Sequence, residues 1–296
     1  MKIAYIILAH KYPEQLTRLI KRLDSDNTSF FVHVDKKTTE ADYRKILDLR
    51  IHENIHFIKR YKTNWGSFGQ IQATLKGIQV VLASSSPCDY AFLLTGQDYP
   101  IKSSKDISNF LLQNPGRLFM DYHTYPQASK LDLHLRYWHF MVFGQHIVFP
   151  KEGQFKNPVF TRLWNGTVRR IPLRRKLPSG MIMYKGSQFW CLSRDCLEYI
   201  DRFTRENPRF TNFFKRAFIP DEKFFQIILL NSPFRDQIVN DDLHYIDWTG
   251  MKTHPRILGI EDFDNLMKTK ALFARKFDIT VDKEILNKID EAIKER

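Results

Sequence analysis

Ile3-Ala4-Tyr5-Ile6-Ile7-Leu8-Ala9, then a helical pattern opening at Pro13, then Phe30-Phe31-Val32-His33-Val34-Asp35: this stretch decides the fold. Seven apolar residues in a row, without polar alternation, describe a strand buried on both faces. After it, Leu16, Leu19, Ile20 and Leu23 recur at helical spacing. Pro13 suits the first turn of that helix, where its missing N–H costs nothing. The second apolar run is another buried strand, ending in polar residues. Strand, amphipathic helix, strand is the unit from which parallel sheets are built.

The alternation continues outward. Residues 55–58 read as a third strand, and residues 71–82 as a long helix with Ile71, Leu75, Ile78 and Leu82 in register. Residues 89–94 form a fourth strand that runs into Thr95-Gly96-Gln97-Asp98-Tyr99-Pro100, and residues 118–122 a fifth. The expected architecture is α/β: a mostly parallel central sheet with helices on both faces, in a single large domain over residues 1–296. In such sheets ligands bind beyond the C-terminal ends of the strands. His10, Asp35 and Asp98 fall at those ends. Residues 123–180 differ, being aromatic and basic, and read as a long excursion, partly hairpin. Regular patterning returns with a strand over 182–190, a helix from Ser193, a helix opened by Pro220, a strand over 243–248 and closing helices over 262–270 and 283–294.

Composition fits a large folded core. Of 296 residues, 43% are apolar, with 24 Phe, 12 Tyr and 5 Trp. No apolar run approaches the roughly 18–20 residues of a membrane-spanning helix. The N-terminus lacks the long apolar region and small-residue cleavage site of a signal peptide and reads as the first strand. Cys88, Cys191 and Cys196 are scattered, which predicts reduced thiols and a cytoplasmic setting rather than a disulfide framework or a structural zinc. The net charge of +13 predicts anionic company: a phosphorylated small molecule, a lipid surface or a nucleic acid.

Pro220-Asp221-Glu222 stands at the start of an apolar helical pattern. Carboxylates there face the positive end of a helix dipole, so the pair reads either as a helix cap or as a fixed carboxylate able to take a proton from a substrate hydroxyl. No GxGxxG or GxxxxGK[ST] motif is present, which argues against dinucleotide and P-loop sites. No Asp-x-Asp follows a strand; Asp241-Asp242 and Asp262-x-Asp264 lie in another context. Two basic clusters, His254-Pro255-Arg256 and Leu272-Phe273-Ala274-Arg275-Lys276-Phe277-Asp278, offer cations that stabilise charge on a leaving group.

Six segments in order resemble the core-2/I-branching β-1,6-N-acetylglucosaminyltransferases and the related peptide O-xylosyltransferases. They are His33-Val34-Asp35-Lys36-Lys37, Trp65-Gly66-Ser67, the stretch from Leu94 to Lys102, Gly186-Ser187-Gln188-Phe189-Trp190, Pro220-Asp221-Glu222, and the stretch from Leu272 to Asp278. The resemblance implies a GT-A type, inverting UDP-sugar transferase, with a nucleotide-binding half over 1–125 and an acceptor-binding and catalytic half over 126–296. It implies Glu222 as general base. Lys276 and Arg256 then grip the diphosphate in place of a metal, so that no cofactor is required. Asp35 falls on the uridine side, with His10 and Asp98 as further donor-side candidates. Trp248, Arg136, Ser187, Gln188 and Asp221 are the acceptor-side candidates. Gly250 stands where the family has a tyrosine, which implies a different acceptor. The family's animal members carry a signal anchor, a stem and several disulfides. Their lack here implies a bacterial, cytoplasmic member that acts on a glycan or lipid-linked acceptor.

Several residues keep two readings. Asp98 suits either a nucleotide-sugar contact or a turn before Tyr99-Pro100. His10 and His33 suit either a structural or a supporting role. Trp65 and Trp190 suit either the core or a sugar platform. The cluster Arg169-Arg170 through Arg174-Arg175-Lys176, beside residues 142–149, suits a solvated loop or a contact with the anionic inner face of a membrane. A nucleic-acid-binding protein without catalysis is the competing class, although no nucleic-acid-binding motif is present.

Overall fold

The computed structural model describes residues 1–86, 88–124, 135, 137–142, 145–149, 158–170, 175–176, 178, 180–250 and 254–294. Its first strand, β1 (Ile3–Ala9), is buried along its whole length. After it come α1 (Pro13–Leu23), β2 (Thr28–Val34), α2 (Glu40–Leu47), β3 (Ile55–Ile58), α3 (Gly69–Ala83), β4 (Tyr90–Thr95), β5 (Tyr99–Pro100), α4 (Ser104–Gln113), β6 (Leu118–Met120) and β7 (His123–Thr124). The excursion contains an antiparallel hairpin, β8 (Trp138–Val142) with β9 (Gln145–Phe149), and α5 (Pro158–Arg170). The remainder is β10 (Tyr184–Lys185), β11 (Trp190–Ser193), α6 (Arg194–Glu206), α7 (Pro208–Phe214), α8 (Phe224–Leu230), β12 (Ile238–Val239), β13 (His244–Ile246), α9 (Phe263–Lys268), β14 (Phe273–Arg275) and α10 (Glu284–Ala292).

Seven strands form the central sheet in the order β12-β6-β11-β4-β1-β2-β3. All pairings are parallel except those of β11, which runs against both β4 and β6. The α/β, mostly parallel expectation therefore holds. One detail differs: the fifth expected strand stops at Met120, and β11, from much later in the chain, separates it from β4.

Side-chain alternation along β1 explains the two helical layers. Ile3, Tyr5, Ile7 and Ala9 face one core with Leu16 and Leu19 of α1, Ile107 of α4 and Ile285 and Ile289 of α10. Ala4, Ile6 and Leu8 face a second core with Ile71 and Ile78 of α3, Leu197 of α6 and the apolar residues of α8. Each large side chain so buried contributes roughly 1.5–3 kcal/mol. Among the described residues no helix is long and apolar enough to cross a membrane. The three cysteines are free and buried.

Two further expectations are corrected. The strand predicted over 182–190 is split into β10, paired with β7, and β11, paired with β4 and β6 in another sheet, because between them Gly186 N and Ser187 N bond to the Glu222 carbonyl and the Asp121 carboxylate instead of to a ladder. The helix predicted to open at Pro220 is instead a single 3-10 turn, Pro220–Glu222. Lys223, at φ −141°, breaks it, and α8 starts at Phe224.

Gly77 of α3 crosses β1 and β3 closely: a Cβ there lies 2.7 Å from Ile6 Cγ2 and 3.2 Å from Ile58 Cδ1. Alanine gains up to about 1 kcal/mol of helix propensity, but overpacking typically costs about 1–3 kcal/mol. Both isoleucines are buried, so the collision dominates. Gly77→Ala is expected to lower the thermal midpoint by roughly 2–4 °C per kcal/mol lost; a higher midpoint in a melting experiment contradicts this packing.

Candidate active site

The C-terminal ends of β1, β2, β4 and β6 open on one cleft of about 990 Å³. His10 and Lys11 follow β1, Asp35 and Lys37 follow β2, Thr95 and Gln97 come from the end of β4, and Asp121 and His123 follow β6. The other walls carry Lys185 to Phe189, Asp221, Glu222, Asp242, Ile246, Trp248, His254, Pro255, Arg275 and Lys276. Of the residues expected from sequence, the fold thus brings together Glu222, Asp221, Asp35, His10, Lys276, Trp248, Ser187 and Gln188.

Glu222 is placed by backbone rather than by a helix dipole. Ile219 adopts the left-handed conformation at φ 47°, Pro220 begins the tight turn, and the Lys223 ammonium, itself buried, donates to the Ile219 carbonyl at 2.8 Å. The Glu222 carbonyl accepts from Gly186 N at 2.8 Å. At that point a Cβ on residue 186 would lie 1.9 Å from the Asp121 carbonyl oxygen, so only glycine fits. Ser187 N then donates to Asp121 Oδ2 at 3.0 Å, and Gln226 Nε2 of α8 to the Ser187 carbonyl at 2.5 Å. Burial raises the Glu222 carboxyl above the usual range; Lys223 and Lys185 pull it back only in part, and Asp121 pushes the same way as burial. Asp221 turns Oδ1 inward, where it meets no donor among the described residues. Burial, aided by Glu222, pushes it up to about 7.

The opposite wall is cationic. β14 lies between β13 and β5 and delivers Arg275 and Lys276. The Arg275 guanidinium sits over the Phe189 ring at 4.7 Å, with Nη1 3.3 Å from Asp98 Oδ1. Lys276 is half-buried and forms no ion pair among the described residues. Burial, then Lys11 and Arg275, lower its pKa. Like charges crowded in this way raise the affinity of the wall for an anion.

Asp35 is buried at the cleft floor. Burial opposes its ionisation, yet donation from Thr63 Oγ1, Lys37 N (2.7 Å) and Thr63 N (3.1 Å) holds the carboxyl below its usual range. His33, behind it, accepts from Tyr61 N at 2.9 Å, and burial pushes its pKa down to about 4, so it is a neutral structural ring. Trp65 and Trp248 stand exposed at 55% and 51% on the cleft wall, whereas Trp190 is in the core.

Two expected donor-side residues lie elsewhere. Arg256 does not line the cleft. Its Nε donates to Asp247 Oδ2 at 2.8 Å, Nη2 to Asp262, and Nη1 approaches Glu261 at 3.4 Å, so three carboxylates already match its charge. Asp98 is fully buried and accepts from Thr95 N (2.6 Å) and Thr95 Oγ1 (2.9 Å), which is the turn reading, and it holds Arg275 from behind. Arg136 lies outside the described residues, as do residues 171–174 of the basic cluster. Arg175 of that cluster is buried, donating to the carbonyls of Leu135 (3.1 Å), Arg216 (2.8 Å) and Phe213, so it is not a solvated loop residue.

Sequence reasoning missed Asp121, Lys185, Asp242 and the cleft role of Arg275. Asp121 lay inside the strand expected over 118–122, and only because that strand stops at Met120 does it join Asp35 as a carboxylate just past a strand end. Lys185 and Asp242 had no signal, since long-range pairing brings them in.

A family profile described as "Core-2/I-Branching enzyme" matches residues 3–267. Among curated proteins, the chain is 25% identical to "Xylosyltransferase 2" of Rattus norvegicus over 317 aligned positions, covering 98% of this chain and 33% of that protein. It is 27% identical to "Xylosyltransferase oxt" of Drosophila melanogaster over 319 positions, again covering 98% and 33%. The chain spans about a third of the length of these relatives.

Asp221 gives this geometry a stability signature. Its folded-state pKa is raised, so the stabilisation it carries is complete below its ordinary range, near 4, and is lost as pH rises through about 7. Asp221→Asn is therefore expected to gain on wild type as pH rises above about 4 and to exceed it by clearly more at pH 8 than at pH 5 in a thermal melt, by roughly 2–4 °C per kcal/mol relieved. A variant no more stable than wild type at pH 8 contradicts the buried, donor-poor carboxyl.

Proposed function

The chain belongs to the Core-2/I-Branching enzyme family, and we propose that it is an inverting, metal-independent UDP-sugar glycosyltransferase with Glu222 as general base. The observation that carries this reading is the division of one cleft: a carboxyl of raised pKa on one wall, a cationic pair on another, strand ends as its floor. Glu222 takes the proton of an acceptor hydroxyl as that oxygen attacks the anomeric carbon. The bond to UDP breaks on the opposite face. Lys276, with Arg275 held by Asp98 and Phe189, takes up the charge growing on the diphosphate. Here Arg275 fills the part that the sequence suggested for Arg256. Asp35 and His10 border the nucleoside end, and Trp248, Ser187 and Gln188 the acceptor end.

The donor is a UDP-sugar, GlcNAc or xylose, and the acceptor a glycan or lipid-linked glycan. The xylosyltransferase relatives support the class of chemistry. A raised pKa suits the base, because a carboxyl closer to the working pH is a better proton acceptor.

Calorimetric titration of UDP, UDP-GlcNAc and UDP-xylose, with transfer assays, tests the assignment. Glu222→Gln is expected to retain UDP affinity while transfer falls by about a hundredfold or more. Lys276→Ala is expected to weaken UDP binding, and Lys276→Arg to restore only part of it, since a planar fork does not replace a compact ammonium. If none of the three ligands binds, or if Glu222→Gln transfers at near wild-type rate, the proposal fails.

Transfer is also expected to persist in EDTA, because Lys276 and Arg275 supply the positive charge. Complete loss on chelation, restored by manganese, overturns that part of the mechanism.

A further inference from the structure

Behind the Trp65 wall of the cleft lies a second pocket of about 500 Å³. The segment after β3 separates the two: Thr63, Trp65 and Gln70 line the catalytic cleft, while Lys62, Gly66, Ser67 and Phe68 line the second pocket. One face of α3 (Gln72, Leu75, Lys76, Gln79) forms another side, at helical spacing. Phe140 of β8 and Lys215-Arg216 after α7 close it.

Its charge is one-sided. Lys62, Lys76, Lys215 and Arg216 converge, no carboxylate is among the described lining residues, and none of the four forms an ion pair among the described residues. Their partners are neutral: Lys76 Nζ meets Gln79 Oε1 at 3.4 Å, Lys215 Nζ donates to Asn212 Oδ1 at 2.8 Å, and Arg216 lies over the Phe140 ring at 4.8 Å. The arrangement is held from within. Arg175, buried, donates to the Phe213 and Arg216 carbonyls, and His139 N donates to the Arg216 carbonyl at 3.0 Å, tying the basic segment to β8. Arg216 and the buried Arg175 repel each other across this tie, which adds to the excess of positive charge on this side of the pocket. The pocket is therefore preorganised for negative charge.

We propose that this pocket is an extension subsite for the acceptor that takes an anionic saccharide residue, one bearing a carboxylate or a phosphate. The proposal rests on the glycosyl-transfer reading of the neighbouring cleft. Trp65, exposed on the cleft wall and packed edge-on against Phe218 at 5.6 Å, marks the path between the two, since an aromatic face stacks on a pyranose. A glycan whose reacting residue lies near Glu222 and whose chain crosses Trp65 enters the pocket with a following residue. Gln72 on the same helix face supplies hydrogen bonds for its hydroxyls, and the cations supply the match for its charge.

The test is binding without donor. Hexagalacturonate (carboxylate), a phosphorylated maltohexaose (phosphate) and neutral maltohexaose are titrated into wild type, Lys76→Ala/Arg216→Ala and a control, Lys45→Ala/Lys270→Ala, which removes the same charge from exposed sites outside both pockets. At least one anionic hexasaccharide is expected to bind wild type about tenfold more tightly than the neutral one, and to lose about tenfold in the pocket variant but not in the control. Which anion binds identifies the acidic group. UDP affinity is expected to be unchanged in both variants, so a failure of the donor site shows up separately, as absent UDP binding. Equal binding of all three sugars, equal losses in both variants or no binding of either anionic sugar overturns the proposal.

Discussion

The site depends on one close backbone approach. Gly186 passes so near the end of β6 that a Cβ there would sit 1.9 Å from the Asp121 carbonyl, and from that position its N–H holds the Glu222 carbonyl. Three segments distant in sequence are fixed by this contact: the strand end bearing Asp121, the segment with Lys185, Ser187 and Gln188, and the turn bearing Glu222. A larger residue would separate them, and the carboxyl would lose its place over the strand ends. The left-handed Ile219 and the buried Lys223 ammonium complete the constraint, setting the turn before α8 begins.

Around this junction the cleft divides its charge. Carboxyls of Asp121, Asp221 and Glu222 share one side; burial raises the pKa of Asp221 and Glu222, with Glu222 adding to the first and Asp121 to the second. Lys11, Arg275 and Lys276 share another, where crowding favours an anion. Asp98 serves the second group from behind, aiming Arg275 without entering the cleft. A proton acceptor and an anion clamp facing one space is what an inverting displacement requires.

How much of this was legible in the sequence follows from how local each cause is. β1, β2 and their helices were readable because unbroken apolar runs and 3.6-residue spacing are local signals. The insertion of antiparallel β11 between β4 and β6 was not, since strand order is set by pairing across 70 residues or more. The 3-10 turn at Pro220 was misread as a helix start because the cause, Lys223 bonding backward to Ile219 and Phe218, leaves no pattern. Arg256 and Arg275 looked alike as members of basic clusters. Only the fold shows that Asp247, Glu261 and Asp262 converge on the first, and that Phe189 and Asp98 steer the second into the cleft.

The central claim is that the partly buried Glu222 carboxyl accepts the acceptor's proton. The most direct measurement is the pH profile of kcat/KM for the acceptor at saturating donor, in wild type and Glu222→Gln. Because burial raises the pKa, the base is ionised only above it, so the rate is expected to climb with pH along an acid limb displaced above the ordinary glutamate value of about 4.3. That limb is expected to be missing from the variant's residual activity. An acid limb of the same position and slope in both proteins contradicts the account.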